Sequence, residues 1–296
     1  MYHYPINYDE PLFRPPSEAH SLIIQVTLGC SWNKCSFCEM YTSKQFKARK
    51  EEDIFKDIDA FVPYKESVRK VFLADGDPLV LSTERLLRIL AKIKNTFPNL
   101  LRVSTYASPS NLARKSTEEL KQLYEAGLTL LYVGIESGDS EVLECIQKGE
   151  TFETTIDGLN KSKAVGMNSS VMIINGVGGK LLTQQHAINS AKVLNETQPK
   201  YASTLVLTAH KGMAHFQDRY KGEFIELNQF ELFKEMQLFM GHLNLNETIF
   251  RSDHASNSLV LKGILGRDKD KMMSQIELAI SHPEMANLRM KYNGGY

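Results

Sequence analysis

With 296 residues, of which 42% are hydrophobic, the chain is long enough to bury the core of one large α/β domain or two small ones. Its 35 basic and 35 acidic side chains balance, so the charge of the whole chain favours neither nucleic acid nor a membrane surface as a partner. Four cysteines are too few for a secreted disulfide scaffold, and neither a membrane-spanning run nor a signal peptide is evident, so we expect a cytoplasmic protein.

A repeating strand–helix pattern follows a proline-bearing N-terminal arm. Longer segments with helical spacing, such as 82–97, separate short apolar runs, and Ser116 with Glu119 has the capping-box pattern of a helix start. Six of these runs predict strands, at 21–29, 68–76, 100–108, 128–138, 169–179 and 201–208. Strands that alternate with helices favour parallel pairing and right-handed crossovers.

Polar residues and glycines cluster at the C-terminal ends of these strands, which favours a barrel over an open sheet. We therefore predict an α/β fold, a partial (β/α)6 TIM-like barrel of parallel strands. Its predicted parts are an N-terminal arm at 1–20, a core barrel at 21–210 and a mainly helical C-terminal extension at 211–296, all in one globular unit.

Three of the four cysteines, Cys30, Cys35 and Cys38, follow the first predicted strand with C-x4-C-x2-C spacing. Thiolates this close in one loop can bind a single metal centre. Mononuclear zinc normally takes a fourth ligand and a second ligand pair, and a redox pair of Cys35 and Cys38 leaves Cys30 without a role. Three cysteines favour a 4Fe–4S cluster with one iron open to a non-protein ligand, with zinc and thiol redox chemistry as alternatives.

This loop resembles that of the radical S-adenosylmethionine (SAM) superfamily, where C-x3-C-x2-C follows the first barrel strand and an aromatic residue precedes the last cysteine. Phe37 occupies the aromatic position, and one additional residue separates the first two cysteines. The resemblance extends over roughly residues 20–210. It implies a partial (β/α)6 barrel, a 4Fe–4S cluster held by Cys30, Cys35 and Cys38, and SAM on the open iron.

Two strand ends match positions that bind SAM in the family. Asp75, Gly76 and Asp77 end the second strand and resemble the family's Gly-Gly-Glu-like turn, whose backbone receives the SAM amino group. An ordinary turn before a helix is the alternative. Glu136 and Ser137 end the fourth strand, as in the Elp3/MiaB/HemN-like branch, where a polar residue at the Glu136 position approaches the cofactor.

The fifth and sixth strand ends complete the implied cofactor site. Asn175 and Gly176 lie in a glycine-rich turn that resembles the family's, and glycine allows a backbone to approach a ligand closely. Residues 205–208 are expected to supply an apolar wall for adenine.

The C-terminal extension is predicted to contain helices at 228–241 and 266–281 and a polar loop at 251–257. Arg251 and His254 in this loop are candidate catalytic residues, with His254 as a proton donor or acceptor. The alternative is a capping network that satisfies the loop's own backbone.

The resemblance implies an enzyme that cleaves SAM reductively and uses the resulting 5′-deoxyadenosyl radical to abstract hydrogen from an unknown small-molecule substrate. It also implies a reductant such as flavodoxin or ferredoxin, and no nucleic-acid or membrane partner is evident. Two other classes stay open. One is a non-catalytic metal-binding protein, either a zinc-stabilised barrel or a haem or cluster carrier, and the other is a thiol oxidoreductase.

Overall fold

The computed structural model describes residues 5–289 and divides into two compact units. Within the described residues, the first unit comprises 5–33, 38–133 and 160–169, and the second comprises 34–37, 134–159 and 170–289. The structure is of the α/β class with a mostly parallel main sheet, as the strand–helix pattern predicts.

Regular structure occupies most of the described chain. The strands are β1 (Leu22–Gln25), β2 (Thr27–Leu28), β3 (Lys47–Ala48), β4 (Lys70–Ala74), β5 (Arg102–Ala107), β6 (Leu128–Glu136), β7 (Asn168–Asn175), β8 (Tyr201–Val206), β9 (Ile249–Ser252) and β10 (Leu261–Ile264). The α-helices are α1 (Glu51–Ala60), α2 (Thr83–Thr96), α3 (Pro109–Arg114), α4 (Thr117–Glu125), α5 (Ser140–Cys145), α6 (Phe152–Ala164), α7 (Gly179–Thr197), α8 (Met213–Arg219), α9 (Gln229–His242) and α10 (Lys269–Ser281).

The core of the first unit is built on parallel strands in the order β1-β4-β5-β6. Val71, Phe72, Leu73 and Ala74 of β4 are all 0% exposed, as expected for a strand that is covered on both faces. Helix α2 buries one stripe of leucine and isoleucine side chains, and burial of each such side chain stabilises the fold by about 1.5–3 kcal/mol.

The predicted capping box is present at the start of α4. Ser116 Oγ accepts the N–H of Glu119 at 3.1 Å, and the Glu119 carboxylate accepts the N–H of Ser116 at 2.8 Å. These two bonds satisfy backbone donors that a helix start leaves without intrahelical partners, which fixes where α4 begins.

The sheet of the second unit contains a parallel pair and a C-terminal hairpin. β7 and β8 pair in parallel, β9 pairs in parallel with β8, and β10 pairs antiparallel with β9. The extension is mainly helical, as predicted, but the sequence reading missed both β9 and β10. Each has only four residues, too few to show a clear alternation, and both are stabilised by pairing with a neighbouring strand.

Two boundaries differ from the prediction, and the first of them shapes the cysteine loop. The first predicted strand is two strands, β1 and β2, and β2 pairs antiparallel with β3, which closes residues 29–46 into a loop. Helix α10 begins at Lys269 rather than at residue 266, because Gly266 has a φ of 97°, outside the helical region. Within residues 5–289, no helix has the length and apolar character needed to cross a membrane.

Candidate cofactor site

The loop between β2 and β3 carries the cysteine motif, and hydrogen bonds within the first unit hold it folded. Gly29 has a φ of 70°, and its N–H donates to Asp75 Oδ2 at 3.1 Å. Asn33, also left-handed with a φ of 50°, donates from Nδ2 to the Tyr41 carbonyl at 3.0 Å. The first bond ties the start of the loop to the end of β4 and the second closes the loop on itself, so together they fix the backbone on which Cys30 lies.

Gly76 lies directly against Cys30. Its N–H donates to the Gly29 carbonyl at 3.1 Å, and a Cβ added to Gly76 would lie 2.8 Å from Cys30 Cβ and 2.9 Å from Cys30 Cα. Real side chains essentially never approach this closely, so the position accepts only glycine without a shift of the backbone. The predicted turn at the end of β4 therefore supports the first cysteine of the motif.

Asp75, predicted at the same turn, is completely buried and forms an ion pair with Lys44. Its Oδ2 lies 3.2 Å from Lys44 Nζ, and Lys44 also pairs with Asp9 Oδ1 at 2.8 Å. Burial raises the pKa of Asp75, and the Gly29 N–H and the Lys44 charge offset only part of that rise. The burial of Tyr41 itself, together with the nearby Asp75 charge, raises the pKa of Tyr41.

Asp77 is 2% exposed and is occupied by partners inside the first unit. Its carboxylate accepts the side-chain amide of Asn111, the N–H of Ser108 at 3.3 Å and the hydroxyl of Ser31 at 3.3 Å. Burial raises the pKa of Asp77, and these hydrogen bonds favour its charged form. Asp77 thus connects the end of β4 to the start of α3 and to the cysteine loop.

In the second unit, Glu136 ends β6 with a φ of 61°, a left-handed conformation that costs about 1–3 kcal/mol for a residue other than glycine. Its side chain is buried, with Oε1 at 3.0 Å from Lys148 Nζ and Oε2 without a hydrogen-bond partner. A buried carboxylate oxygen without a donor is costly, and Oε2 remains available to accept a hydrogen bond.

Lys148 is a site residue that the sequence reading missed. Its Nζ lies 5.9 Å from the centroid of the Phe37 ring, and its side chain is only 14% exposed. Burial alone lowers the pKa of Lys148, but the charges of Glu136 and Cys35 outweigh it, so the pKa is raised and the side chain stays cationic. Nothing in the residues around Lys148 distinguishes it from an ordinary lysine after a short helix.

Ser137 and Gly176 both take part in a buried network of the second unit. The Ser137 hydroxyl shares a hydrogen bond of 2.8 Å with His186 Nδ1, and the Gly176 N–H donates to Glu235 Oε1 at 2.6 Å. His186 Nε2 lies 3.9 Å from the same Glu235 oxygen, so the two strand ends share one network. Asn175 is also buried, and its carbonyl accepts the N–H of residue 207 at 2.9 Å.

The structure shows the polar loop after β9 as a capping network. His254 Nδ1 shares a hydrogen bond of 2.8 Å with Ser256 Oγ, which accepts the N–H of Val206 at 3.0 Å, and Asn257 Nδ2 donates to a strand carbonyl of β8. Arg251 lies on β9 with an exposed side chain. Burial lowers the pKa of His254, so its imidazole is neutral at pH 7.

The donor chemistry of the cysteine loop fits the implied cluster. Within residues 5–289, no group of three or more His, Cys, Asp or Glu side chains is arranged to hold a metal ion. All four cysteines lie within that range as thiols of intermediate exposure. Cys30, Cys35 and Cys38 nevertheless offer three soft sulfur donors from one short loop, the ligand type that iron–sulfur clusters take.

A family model described as the radical SAM superfamily matches residues 24–193, more than half of the chain. The chain belongs to the radical SAM superfamily. Membership of this superfamily implies reductive cleavage of SAM with an iron–sulfur cluster. The match begins in β1 and ends in α7, so it contains the cysteine loop and the ends of β4, β6 and β7.

Curated relatives share the superfamily but differ in their named activities. An uncharacterised methyltransferase of Pyrococcus horikoshii is 22% identical over 64% of this chain and 40% of its own length. The haem chaperone HemW of Bacillus subtilis is 26% identical over 47% of this chain and 37% of its own. GTP 3′,8-cyclase of Sulfurimonas denitrificans is 29% identical over 52% of this chain and 46% of its own length. The chain thus spans less than half the length of each.

Solved structures confirm the predicted fold. Coproporphyrinogen III oxidase (HemN) from Escherichia coli superimposes with a TM-score of 0.58 at 18% identity, over 75% of this chain and 52% of that chain. The archaeal Elp3 of Methanocaldococcus infernus superimposes with a TM-score of 0.52 at 14% identity, over 87% of this chain and 63% of that chain. The fold is the partial TIM-like barrel of radical SAM enzymes.

Proposed function

We propose that this radical SAM enzyme holds one 4Fe–4S cluster through Cys30, Cys35 and Cys38 and uses it to start hydrogen abstraction from a small-molecule substrate. The carrying observation is the C-x4-C-x2-C loop after the first strands of a chain that matches the superfamily over 24–193. When bound, such a cluster supplies the electron that breaks a carbon–sulfur bond of SAM, leaving methionine and a 5′-deoxyadenosyl radical.

The chain's own residues would bind and orient SAM. Glu136 Oε2, buried without a donor, is proposed to accept a hydrogen bond from SAM, while Lys148 pairs with the other carboxylate oxygen, Oε1. The backbone of the Asp75–Asp77 turn is proposed to receive the SAM amino group. The Asp77 carboxylate supports this turn through the hydrogen bonds that it accepts from Ser31 and Asn111.

Two residues of the C-terminal extension are proposed to act on the substrate. Arg251 is exposed and can meet an anionic group, and the neutral imidazole of His254 can accept a proton at pH 7. A reductant such as flavodoxin or ferredoxin supplies the electron. The relatives are named as a methyltransferase, a chaperone and a cyclase, so they support no single substrate for this chain.

A second candidate function is a haem or cluster carrier without radical turnover. The observation that favours it is the similarity to the haem chaperone HemW of Bacillus subtilis over 141 residues. A carrier would assemble the cluster but form no 5′-deoxyadenosine from SAM. Product formation therefore separates the two candidates.

Single cysteine variants test the proposed ligand set. Cys30→Ala, Cys35→Ala and Cys38→Ala are each expected to lose most iron and sulfide after anaerobic reconstitution, and to form no 5′-deoxyadenosine. Cys145→Ala is the matched control and is expected to match the wild type, because Cys145 packs in an apolar cluster with Phe216 and Tyr220. A Cys30→Ala variant that keeps its iron, or a wild type that binds only zinc, would contradict the proposal.

A further inference from the structure

Arg219, at the C-terminal end of α8, donates to three successive backbone carbonyls of the cysteine loop. Its Nη2 lies 3.0 Å from the Cys35 carbonyl and 3.3 Å from the Lys34 carbonyl, and its Nη1 lies 3.4 Å from the Ser36 carbonyl. Segment 34–37 belongs to the second compact unit together with α8, so all these contacts lie inside one unit.

The backbone around Arg219 is itself anchored beside the same segment. Gln147 Nε2 donates to the Arg219 carbonyl at 2.6 Å, and the N–H of Lys221 donates to the Cys145 carbonyl at 2.9 Å. The N–H of Ser36 donates to the Ile146 carbonyl at 2.9 Å. The end of α5 thus receives bonds from both the cysteine loop and Lys221, two residues after α8.

An aromatic cluster makes this anchor rigid. Phe216, Tyr220 and Phe224 are each less than 9% exposed, and their ring centroids lie 4.8–5.6 Å apart. Phe37 of the cysteine loop packs against this cluster. Tightly packed aromatic rings resist displacement, so Arg219 presents its guanidinium from a fixed position.

We propose that Arg219 is a positioning residue that holds the backbone of Cys35 in place for the cluster. The inference rests on the proposed function. Residues 31–34 between the first two cysteines contain no regular structure, and fixing such a backbone costs conformational entropy. A guanidinium that binds three carbonyls orders the segment before the cluster arrives, which is the advantage of preorganisation.

The same contact places a permanent positive charge beside a cluster ligand. The potential of an iron–sulfur cluster depends on its net charge and its surroundings, and a nearby cation stabilises the reduced form. Arg219 therefore raises the reduction potential as well as retaining the cluster. The C-terminal extension then contributes to the cluster site and not only to a substrate site.

Two substitutions separate the geometric effect from the charge effect. Arg219→Met removes both and is expected to release the cluster to a chelator about tenfold faster, equal to about 1.4 kcal/mol, and to shift its midpoint potential negative. Arg219→Lys keeps the charge but loses the planar guanidinium that binds several carbonyls at once. We therefore expect this variant to have the midpoint potential of the wild type but to release its cluster as fast as Arg219→Met. Lys211→Met, an exposed cation just before α8, is the control.

Hydrogen exchange of the apoprotein keeps this inference separate from the proposed function. Arg219→Met is expected to speed amide exchange in a peptide that covers 34–38, with no change in peptides of β7 and β8. A wild type that assembles no cluster would refute the proposed function. Unchanged exchange at 34–38, or cluster retention and potential equal to the wild type, would refute the role of Arg219.

Discussion

Replacing Gly76 with alanine tests whether the end of β4 supports Cys30. The added Cβ would lie 2.8 Å from Cys30 Cβ and 2.9 Å from Cys30 Cα, whereas carbon atoms pack best at about 3.5–4.0 Å. The overlap is with a backbone atom, so it cannot be relieved by rotating a side chain. Either the β4 turn or the cysteine loop must shift by about 1 Å, the difference between these distances.

Overpacking of this kind typically costs about 1–3 kcal/mol of the free energy of unfolding. In a chain of this size, each kcal/mol lowers Tm by about 2–4 °C. We therefore expect Gly76→Ala to lower the Tm of the apoprotein by several degrees. The larger effect is expected on iron content after reconstitution, because the shifted residue is a proposed ligand.

Thermal unfolding by circular dichroism and iron and sulfide analysis measure both effects. Gly241→Ala is the matched control, since nothing lies within 4 Å of an added Cβ there and the residue lies in helix α9. The control is expected to leave both measurements unchanged or to stabilise the helix slightly. A Gly76→Ala variant with the Tm and the iron content of the wild type would show that Gly76 and Cys30 do not constrain each other.

Two further changes probe the second unit. Lys148→Met leaves Glu136 as a buried carboxylate without its partner, so we expect chemical denaturation to show a loss of about 3–5 kcal/mol in unfolding free energy. A loss near zero would show that this ion pair does not stabilise the fold. Burial lowers the pKa of His186 below its usual 6.5, although the charges of Glu235 and Asp139 oppose this shift. As the pH falls, this histidine therefore takes up a proton at a higher pH in the unfolded chain than in the folded chain. Wild-type stability relative to His186→Gln should therefore fall as pH drops through 6.5, and a difference independent of pH between 5 and 8 would contradict this.

The strand positions and the cysteine motif could be predicted because both depend on local sequence. Apolar runs rich in β-branched residues coincide with β4, β5, β6, β7 and β8, and the capping box marks α4 within one residue. The motif could be found since all three cysteines lie within residues 30–38. Chemistry confined to one short segment is visible without the fold.

The missed features depend on contacts between distant residues. Lys148 matters because Glu136 and Phe37 approach it, and Arg219 matters because it meets carbonyls more than 180 positions earlier in the chain. Every residue has a backbone carbonyl, so no sequence pattern could indicate that Arg219 contacts these particular carbonyls. The roles assigned to Ser137, Asn175 and Gly176 stay predictions, and the structure adds that each takes part in hydrogen bonds within the second unit.

Electron paramagnetic resonance of the reconstituted and reduced protein, recorded with and without SAM, tests the proposed function most directly. We expect a 4Fe–4S signal that changes when SAM is added, together with release of 5′-deoxyadenosine, because the open iron is proposed to bind SAM. A cluster signal that is indifferent to SAM, with no 5′-deoxyadenosine formed, would contradict the proposal and favour the carrier.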